Sequence, residues 1–118
     1  MTLRGQDWLR DRGCPEHVVR LGTEGRVQAW ELTARELAEG WDLDFDDYLN
    51  DLDDRQIISE MEREGLLDDA ELKRVHLADH SFQGSTQIVE ECVWGVANAK
   101  DKGWSKDVNW WYWRKPLD

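Results

Sequence analysis

The chain has few of the residues and runs that mark several common protein classes. Its 118 residues include only two cysteines and two prolines, and two cysteines without a secretory signal are more often free thiols than a disulfide framework. Its longest apolar runs span a few residues, far short of the ~20 needed to cross a bilayer. Residues 3–9 are interrupted by polar residues such as Arg4 and Asp7 and do not resemble a signal peptide. The sequence therefore predicts a soluble, cytoplasmic protein.

No sequence motif indicates catalysis. The chain contains no nucleophile elbow, no phosphate-binding glycine loop and no HExxH. Cys92 follows Glu91 in an apolar stretch and has no basic neighbour that would lower the pKa of its thiol. An acid pair such as Asp44 and Asp47 fits general acid–base chemistry, but acids this dense also occur together by chance. We therefore predict a protein that is not an enzyme.

Negative charge is concentrated in one quarter of the chain. The net charge is −11, and 40% of the residues are hydrophobic, enough for one domain with its own core over residues 1–118. Between Asp42 and Glu71 there are 13 acids and only two bases, Arg55 and Arg63, whereas the other 88 residues carry 13 acids and 13 bases. A surface adapted to high salt would spread its acids evenly. The distribution indicates one acidic face and disfavours direct binding to a nucleic-acid backbone, which requires clustered Lys and Arg.

The acidic part of the chain, about residues 1–67, is predicted to be mainly helical. Glycines and capping residues delimit helices over residues 3–12, 15–21 and 34–39. Residues 26–32 alternate in hydrophobicity and predict a short strand. Farther on, apolar residues recur at helical spacing in two sets, from Phe45 to Leu52 and from Ile57 to Met61. At ~100° per residue the two sets point roughly opposite ways, so we predict two helices with a break near Asp53.

The remaining part, about residues 72–115, reads as β-rich and tryptophan-rich. Strands are predicted over residues 72–82, 86–96 and 108–114, which are rich in Val, Ile and aromatic side chains. Residues 83–85 read as a hairpin connection, and residues 98–107 as a longer loop. The predicted fold is α+β: a helical N-terminal half packed on a three-stranded, or four-stranded, antiparallel β-meander.

The acidic face is the first candidate for a functional surface. Carboxylates on a rigid helix can stand where DNA phosphates would stand, so such a face can occupy a basic groove as a DNA mimic. Like charges four residues apart, such as Asp47 and Asp51, destabilise a helix by a few tenths of a kcal/mol. An ordinary solvated face is the alternative, and it stays open. The predicted contact residues are Asp42, Asp44, Asp46, Asp47, Asp51, Asp53, Asp54, Glu60, Glu62 and Glu64.

The tryptophans are the second candidate. The chain has eight, three of them within residues 109–114. In a strand, Trp111 and Trp113 share one face, while Trp110, Tyr112 and Arg114 share the other. If the first face packs on the helices, the second exposes Trp110 and Tyr112 as a partner contact or a stacking platform for sugar rings. The alternative, in which both faces are buried, also stays open.

Four side chains have zinc-compatible spacing. Cys14 precedes His17 by three residues, and His76 precedes His80 by four. Residues four apart can share an ion on a helix, where they are ~6 Å apart, but not on a strand, where they are ~13 Å apart. Because residues 72–82 are predicted to form a strand, we expect no metal and no other cofactor.

The sequence as a whole favours a binding module. The predicted function is that of an acidic protein that docks on a basic surface of a nucleic-acid-handling protein, as an inhibitor of the antitoxin, immunity or phage anti-defence type. The inhibitor class rests on analogy from charge and size. The alternative is a small metal- or carbohydrate-binding module that uses the Cys and His residues or the Trp/Tyr face.

Overall fold

The protein is mainly helical. The computed structural model describes residues 2–40 and 44–117. Its helices are α1 (Thr2–Asp11), α2 (Glu16–Gly40), α3 (Phe45–Arg63), α4 (Asp69–Gly84) and α5 (Val96–Lys102), its strands are β1 (Thr86–Ile88) and β2 (Arg114–Pro116), and a 3₁₀ helix covers Trp110–Trp113. The prediction of an α+β fold with a β-meander is therefore wrong.

The longest helix, α2, packs against α1, α3 and α4. Val27, Trp30 and Leu37 are buried and recur at i, i+3 and i+10, the spacing of one helical face. The predicted strand over residues 26–32 is wrong because its alternation depended on Leu32, which is 45% exposed. Over only seven residues, alternation of apolar and polar side chains cannot be distinguished from the spacing of a helical face.

Gly22 divides α2 into two helical stretches. Its backbone has φ 63° and ψ −153°, a region that glycine enters at little cost because it has no Cβ. The sequence-based interruption at Gly22 is confirmed, although helix resumes directly after it. The predicted helix over residues 34–39 was expected to begin after Thr33, but Thr33 lies inside α2, where its hydroxyl donates to the carbonyl of Ala29 at 3.1 Å.

The acidic helix α3 is continuous, and its buried stripe winds around it. The fully or nearly buried positions include every third residue: Leu49, Leu52, Arg55, Ile58 and Met61. Three residues advance ~300° around a helix, ~60° short of a turn, so successive members of the stripe meet different neighbours, with α2 and the 3₁₀ helix among them. The predicted break near Asp53 is wrong: α3 runs unbroken through it, and the winding stripe buries members of both apolar sets.

The predicted strand over residues 72–82 is the helix α4. The Asp68 carboxylate accepts from the backbone N–H of Glu71 at 2.7 Å, and the Glu71 carboxylate accepts from that of Asp68 at 3.1 Å. This capping box fixes the start of the helix. Val75 and Phe82 are fully buried, at a separation of seven residues that places them on one helical face.

The C-terminal part contains little sheet. Strands β1 and β2 pair antiparallel, with Thr86 opposite Pro116 and Ile88 opposite Arg114. The predicted hairpin over residues 83–85 instead contains the end of α4, and the predicted loop over residues 98–107 includes most of α5. No helix in the described ranges is long and apolar enough to cross a membrane.

Candidate functional site

A buried ion pair between α3 and α4 lies at the centre of the fold. Arg55 donates from Nε and Nη2 to the two carboxylate oxygens of Asp79, at 2.8 and 3.0 Å. The indole of Trp30 donates to the same carboxylate at 2.8 Å. The guanidinium lies 4.5 Å from the ring centroid of Trp111 and 5.8 Å from that of Trp110. Arg55 is therefore a structural residue of the core, although it lies within the acidic segment, by which we mean residues 42–71.

Three carboxylates of the acidic segment are held by contacts within the protein. These contacts join Asp53 to the Tyr112 hydroxyl, Asp54 to Arg26, and Glu60 to Arg12. All three acids are only partly exposed. Sequence reasoning placed them on one docking face, but their partners lie outside the acidic segment and were not visible in its composition.

One group of carboxylates without internal cations lies where α2 ends and α3 begins. We call this surface the acidic corner and define it as Glu36, Glu39, Asp44, Asp46, Asp47 and Asp51. From Glu36 to Asp51 the sequence has seven acids and no Lys or Arg; the seventh, Asp42, lies outside the described residues. Among the residues that the structure describes, none of the six makes an ion pair.

Asp44 also has a structural role in the acidic corner. It is the N-cap of α3, and its carboxylate accepts from the backbone N–H of Asp47 at 3.0 Å. Asp46 and Asp47 occupy the first turn of the helix and are exposed. Negative side chains are favourable in a first helical turn because they face the positive end of the helix dipole. The helix therefore tolerates these acids, but their mutual repulsion remains.

Like charges crowd Asp51, on the side of α3 that faces α2. Burial, together with the charges of Asp54, Glu36 and Asp47, raises the pKa of Asp51 to about 6. Burial also raises the pKa of Asp54, although its partner Arg26 acts in the opposite direction. The acidic corner thus holds negative charges together at a free-energy cost to the isolated protein.

This cost predicts a pH dependence of stability. An unfolded aspartate has a pKa of ~3.9, below that of folded Asp51. Between these two pH values, folding is therefore accompanied by protonation of Asp51. Protonated Asp51 favours the folded state, and this contribution to stability is fully present below about pH 4 and is lost as the pH rises through about 6. Because Asp51 is only half-buried, water screens the effect, and we expect Asp51→Asn to add about 1 kcal/mol at pH 7.

Chemical denaturation of wild type and Asp51→Asn at pH 3.5 and pH 7 measures this effect. Asp101→Asn is the control because Asp101 is an exposed acid outside the acidic corner, and it should change stability by less than about 0.5 kcal/mol. A loss of stability at pH 7 in Asp51→Asn would show that the carboxylate is not crowded.

The other end of α3 has a mixed charge. Glu62 and Glu64 are exposed, but Arg63 lies between them in sequence and Arg4 donates to the backbone carbonyl of Glu64 at 3.1 Å. The nearby ion pair of Arg12 with Glu60 adds another cation. The predicted acidic face therefore does not extend evenly along α3.

The predicted exposure of Tyr112 is wrong. Tyr112 is fully buried, its ring stacks on Trp104 with centroids 4.0 Å apart, and its hydroxyl donates to Asp53 at 2.7 Å. Trp110 is half-buried and packs on Phe82 at 5.9 Å between ring centroids. Because the segment is a 3₁₀ helix and not a strand, its side chains do not divide into a covered face and an exposed face.

The candidate zinc ligands lie on helices and a helix junction. His76 and His80 are exposed on α4, His17 is exposed on α2, and Cys14 is half-buried between α1 and α2. A metal was not expected because residues 72–82 were predicted to form a strand. That reason is wrong, since His76 and His80 lie on a helix, where residues four apart can share an ion. Across residues 2–40 and 44–117, however, no three His, Cys, Asp or Glu residues are grouped so that they could hold a metal ion.

The acidic corner is thus the predicted surface at which charge, exposure and lack of internal pairing coincide. Phe45 lies within it, 44% exposed, and Lys115 approaches the ring of Phe45 at 5.5 Å without pairing with the corner carboxylates. An arrangement of this kind favours the approach of cations. No family model, curated protein or solved structure matches this chain.

Proposed function

We propose that the protein is a non-enzymatic binding module whose acidic corner docks on a basic surface of a nucleic-acid-handling protein. One observation carries the proposal: within the described residues, the carboxylates of the acidic corner lack ion-pair partners, while burial and neighbouring like charges raise the pKa of Asp51 to about 6. Cations of a partner would offset this repulsion. Binding would then gain electrostatic energy that the isolated protein does not have.

The geometry suits imitation of a phosphate row. Asp47 and Asp51 are four residues apart on one helix, so their side chains are neighbours at ~6 Å. Fixed negative charges of this kind can enter a channel that is lined by Lys and Arg for nucleic acid. The proposed action is inhibition by occupancy, of the antitoxin, immunity or phage anti-defence type, in the cytoplasm. Charge and size are the grounds for this class.

Phe45 supplies an apolar contact inside the charged surface. It is the first residue of α3 and stays 44% exposed, although its ring stacks on Tyr48 at 5.7 Å. Interfaces combine a polar rim with a few buried aromatic anchors. We therefore expect Phe45 to be buried by the partner, with the carboxylates around it setting the rate of encounter and the orientation.

Charge reversal tests the proposal. The corner variant combines Glu39→Lys, Asp46→Lys and Asp47→Lys, three exposed acids that make no ion pair in the described residues. Asp54 is excluded because it pairs with Arg26. We expect the variant to lose partner capture from a host lysate at low salt, because three attractive charges become repulsive.

A matched variant keeps the same change in net charge. It combines Glu90→Lys, Glu91→Lys and Asp101→Lys, all exposed acids away from the acidic corner. We expect the matched variant to capture the same partners as wild type. High salt should weaken capture by both proteins. Thermal melts of both variants check folding, since Lys in a first helical turn costs roughly 0.3–1 kcal/mol. Equal capture by the corner variant and wild type would rule out the acidic corner as the docking surface.

A further inference from the structure

A groove lies beside the C-terminal half of α3, at the opposite end of that helix from the acidic corner. Its volume is about 530 Å³, within the roughly 300–1,000 Å³ of small-molecule sites. Arg12, Glu60 and Arg63 form one side. The end of α5 and the turn that follows it form the other side, from Lys102 through Trp104 to Asn109. The groove is therefore large enough for a ligand of nucleotide size.

The charge of this groove opposes that of the protein. Three cations line it, Arg12, Arg63 and Lys102, against a single carboxylate, Glu60. Arg12 already pairs with Glu60, whereas neither Arg63 nor Lys102 makes an ion pair within the part of the chain that the structure describes. In a protein of net charge −11, the groove thus keeps two positive charges unpaired.

Other carboxylates near the groove are engaged or face elsewhere. Asp53 accepts a hydrogen bond from the Tyr112 hydroxyl. Burial raises the pKa of the Asp53 carboxyl, and the charge of Lys102 acts in the opposite direction. Asp11 and Glu64 line an adjoining hollow, which shares Arg12, Glu60 and Arg63 with the groove but not Lys102. An anion is therefore expected on the Lys102 side of the groove.

The floor of the groove is held in place by side-chain hydrogen bonds. The Asn109 amide donates to the Gln56 carbonyl oxygen at 2.8 Å, and the Gln56 amide donates to Glu60 at 2.9 Å. Asn109 also accepts from the backbone N–H of Ser105 at 3.1 Å. Because these side chains are already fixed, the floor of the groove loses little conformational freedom when a ligand binds.

An aromatic surface completes the groove. Trp104 is half-buried and is fixed by stacking on Tyr112, with ring planes 21° apart. Val108, which is 56% exposed, lies on the same side. Flat rings pack favourably on an indole, and nucleobases do so regardless of sequence.

We propose that this groove binds a small phosphate monoester whose organic part carries a flat ring, such as a nucleoside monophosphate. A phosphate monoester has a charge of roughly −1.5 to −2 at pH 7, which matches the two unpaired cations. Arg63 and Lys102 bind the phosphate through charge-assisted hydrogen bonds, and the ring packs on Trp104. The proposal is independent of docking at the acidic corner.

Calorimetric titration with adenosine 5′-monophosphate tests the groove. Arg63→Gln and Lys102→Gln should each raise the Kd about tenfold, the loss expected for one charge-assisted hydrogen bond. Arg35→Gln and Lys106→Gln are controls, because both residues are exposed cations that do not line the groove, and they should leave the Kd within about twofold. All four positions are exposed, so the melting temperature should be unchanged.

Two further ligands separate the phosphate from the ring. Inorganic phosphate and adenosine should each bind at least about tenfold more weakly than the monophosphate, since each offers half of the contacts. If inorganic phosphate binds as tightly as the monophosphate, Trp104 does not hold the ring. If adenosine binds as tightly as the monophosphate, the two cations do not hold the phosphate. Absence of saturable binding of the monophosphate up to about 10 mM, or an unchanged Kd in the variant that combines Arg63→Gln with Lys102→Gln, would overturn the proposal.

Discussion

Replacing Asp79 by leucine is expected to lower the free energy of unfolding by about 3–5 kcal/mol, because it leaves the guanidinium of Arg55 buried and unpaired. Arg55 and Asp79 are 5% and 9% exposed, so water cannot replace the lost carboxylate. The indole N–H of Trp30 loses its acceptor in the same step. For a small domain with roughly 5–15 kcal/mol of total stability, this loss leaves much of the protein unfolded at 37 °C.

The double variant Arg55→Met/Asp79→Leu distinguishes the pair from simple packing. Removing both charges leaves no buried ion, and a buried pair can often be replaced by apolar residues without loss. We therefore expect the double variant to be more stable than Asp79→Leu alone, as measured by urea denaturation. If the two variants are equally unstable, the damage comes from packing and not from an unpaired charge.

The second large effect is expected in the 3₁₀ helix. Trp111 and Tyr112 are 1% and 0% exposed, so Trp111→Ala and Tyr112→Ala should each destabilise the protein by about 3–5 kcal/mol. Trp111 also faces the guanidinium of Arg55, and Tyr112 is bonded to Asp53. Truncating either residue therefore removes both core volume and a polar contact. Thermal melts and soluble yield measure the effect.

Neighbouring positions provide the controls for this prediction. Val108→Ala, at a position 56% exposed, should change stability by less than about 0.5 kcal/mol. Trp110→Ala should fall between, because Trp110 is half-buried. Damage from Trp111→Ala with a tolerated Tyr112→Ala would instead match a strand with one covered face and would contradict the 3₁₀ helix.

The N-terminal helices were visible in the sequence because their boundaries depend on local signals. The predicted helix over residues 3–12 corresponds to α1, Thr2–Asp11, and the predicted interruption at Gly22 is present. Glycines and turn residues end a helix at the positions where they stand. Predictions from such signals need no knowledge of what the segment packs against.

The errors in the middle and C-terminal parts have two causes, a local signal that was given too little weight and packing that the sequence does not show. Aromatic and β-branched composition suggested a strand over residues 72–82, whereas the capping box of Asp68 and Glu71 marked a helix and was the signal to weigh. In α3, a stripe that winds around the helix resembles two helices until its neighbours are known. Packing overrides composition at such positions.

Only part of the candidate site could be predicted from the sequence. Composition revealed the excess of acids but not which of them are neutralised, because Arg12 and Arg26 are distant in sequence from their partners Glu60 and Asp54. The groove at Lys102 and Trp104 had no sequence signal at all. Its lining residues come from the residue after α1, from α3, and from the end of α5 with the turn that follows it, and only the fold brings them together.

The association rate constant of the captured partner, measured across ionic strength, is the most direct test of docking by the acidic corner. For wild type we expect the rate constant to fall at least about tenfold between 50 mM and 500 mM salt, because screening removes electrostatic steering. The corner variant should associate slowly at low salt and depend little on salt, while the matched variant follows wild type. A corner variant that associates as fast as wild type at every salt concentration would contradict docking through the acidic corner.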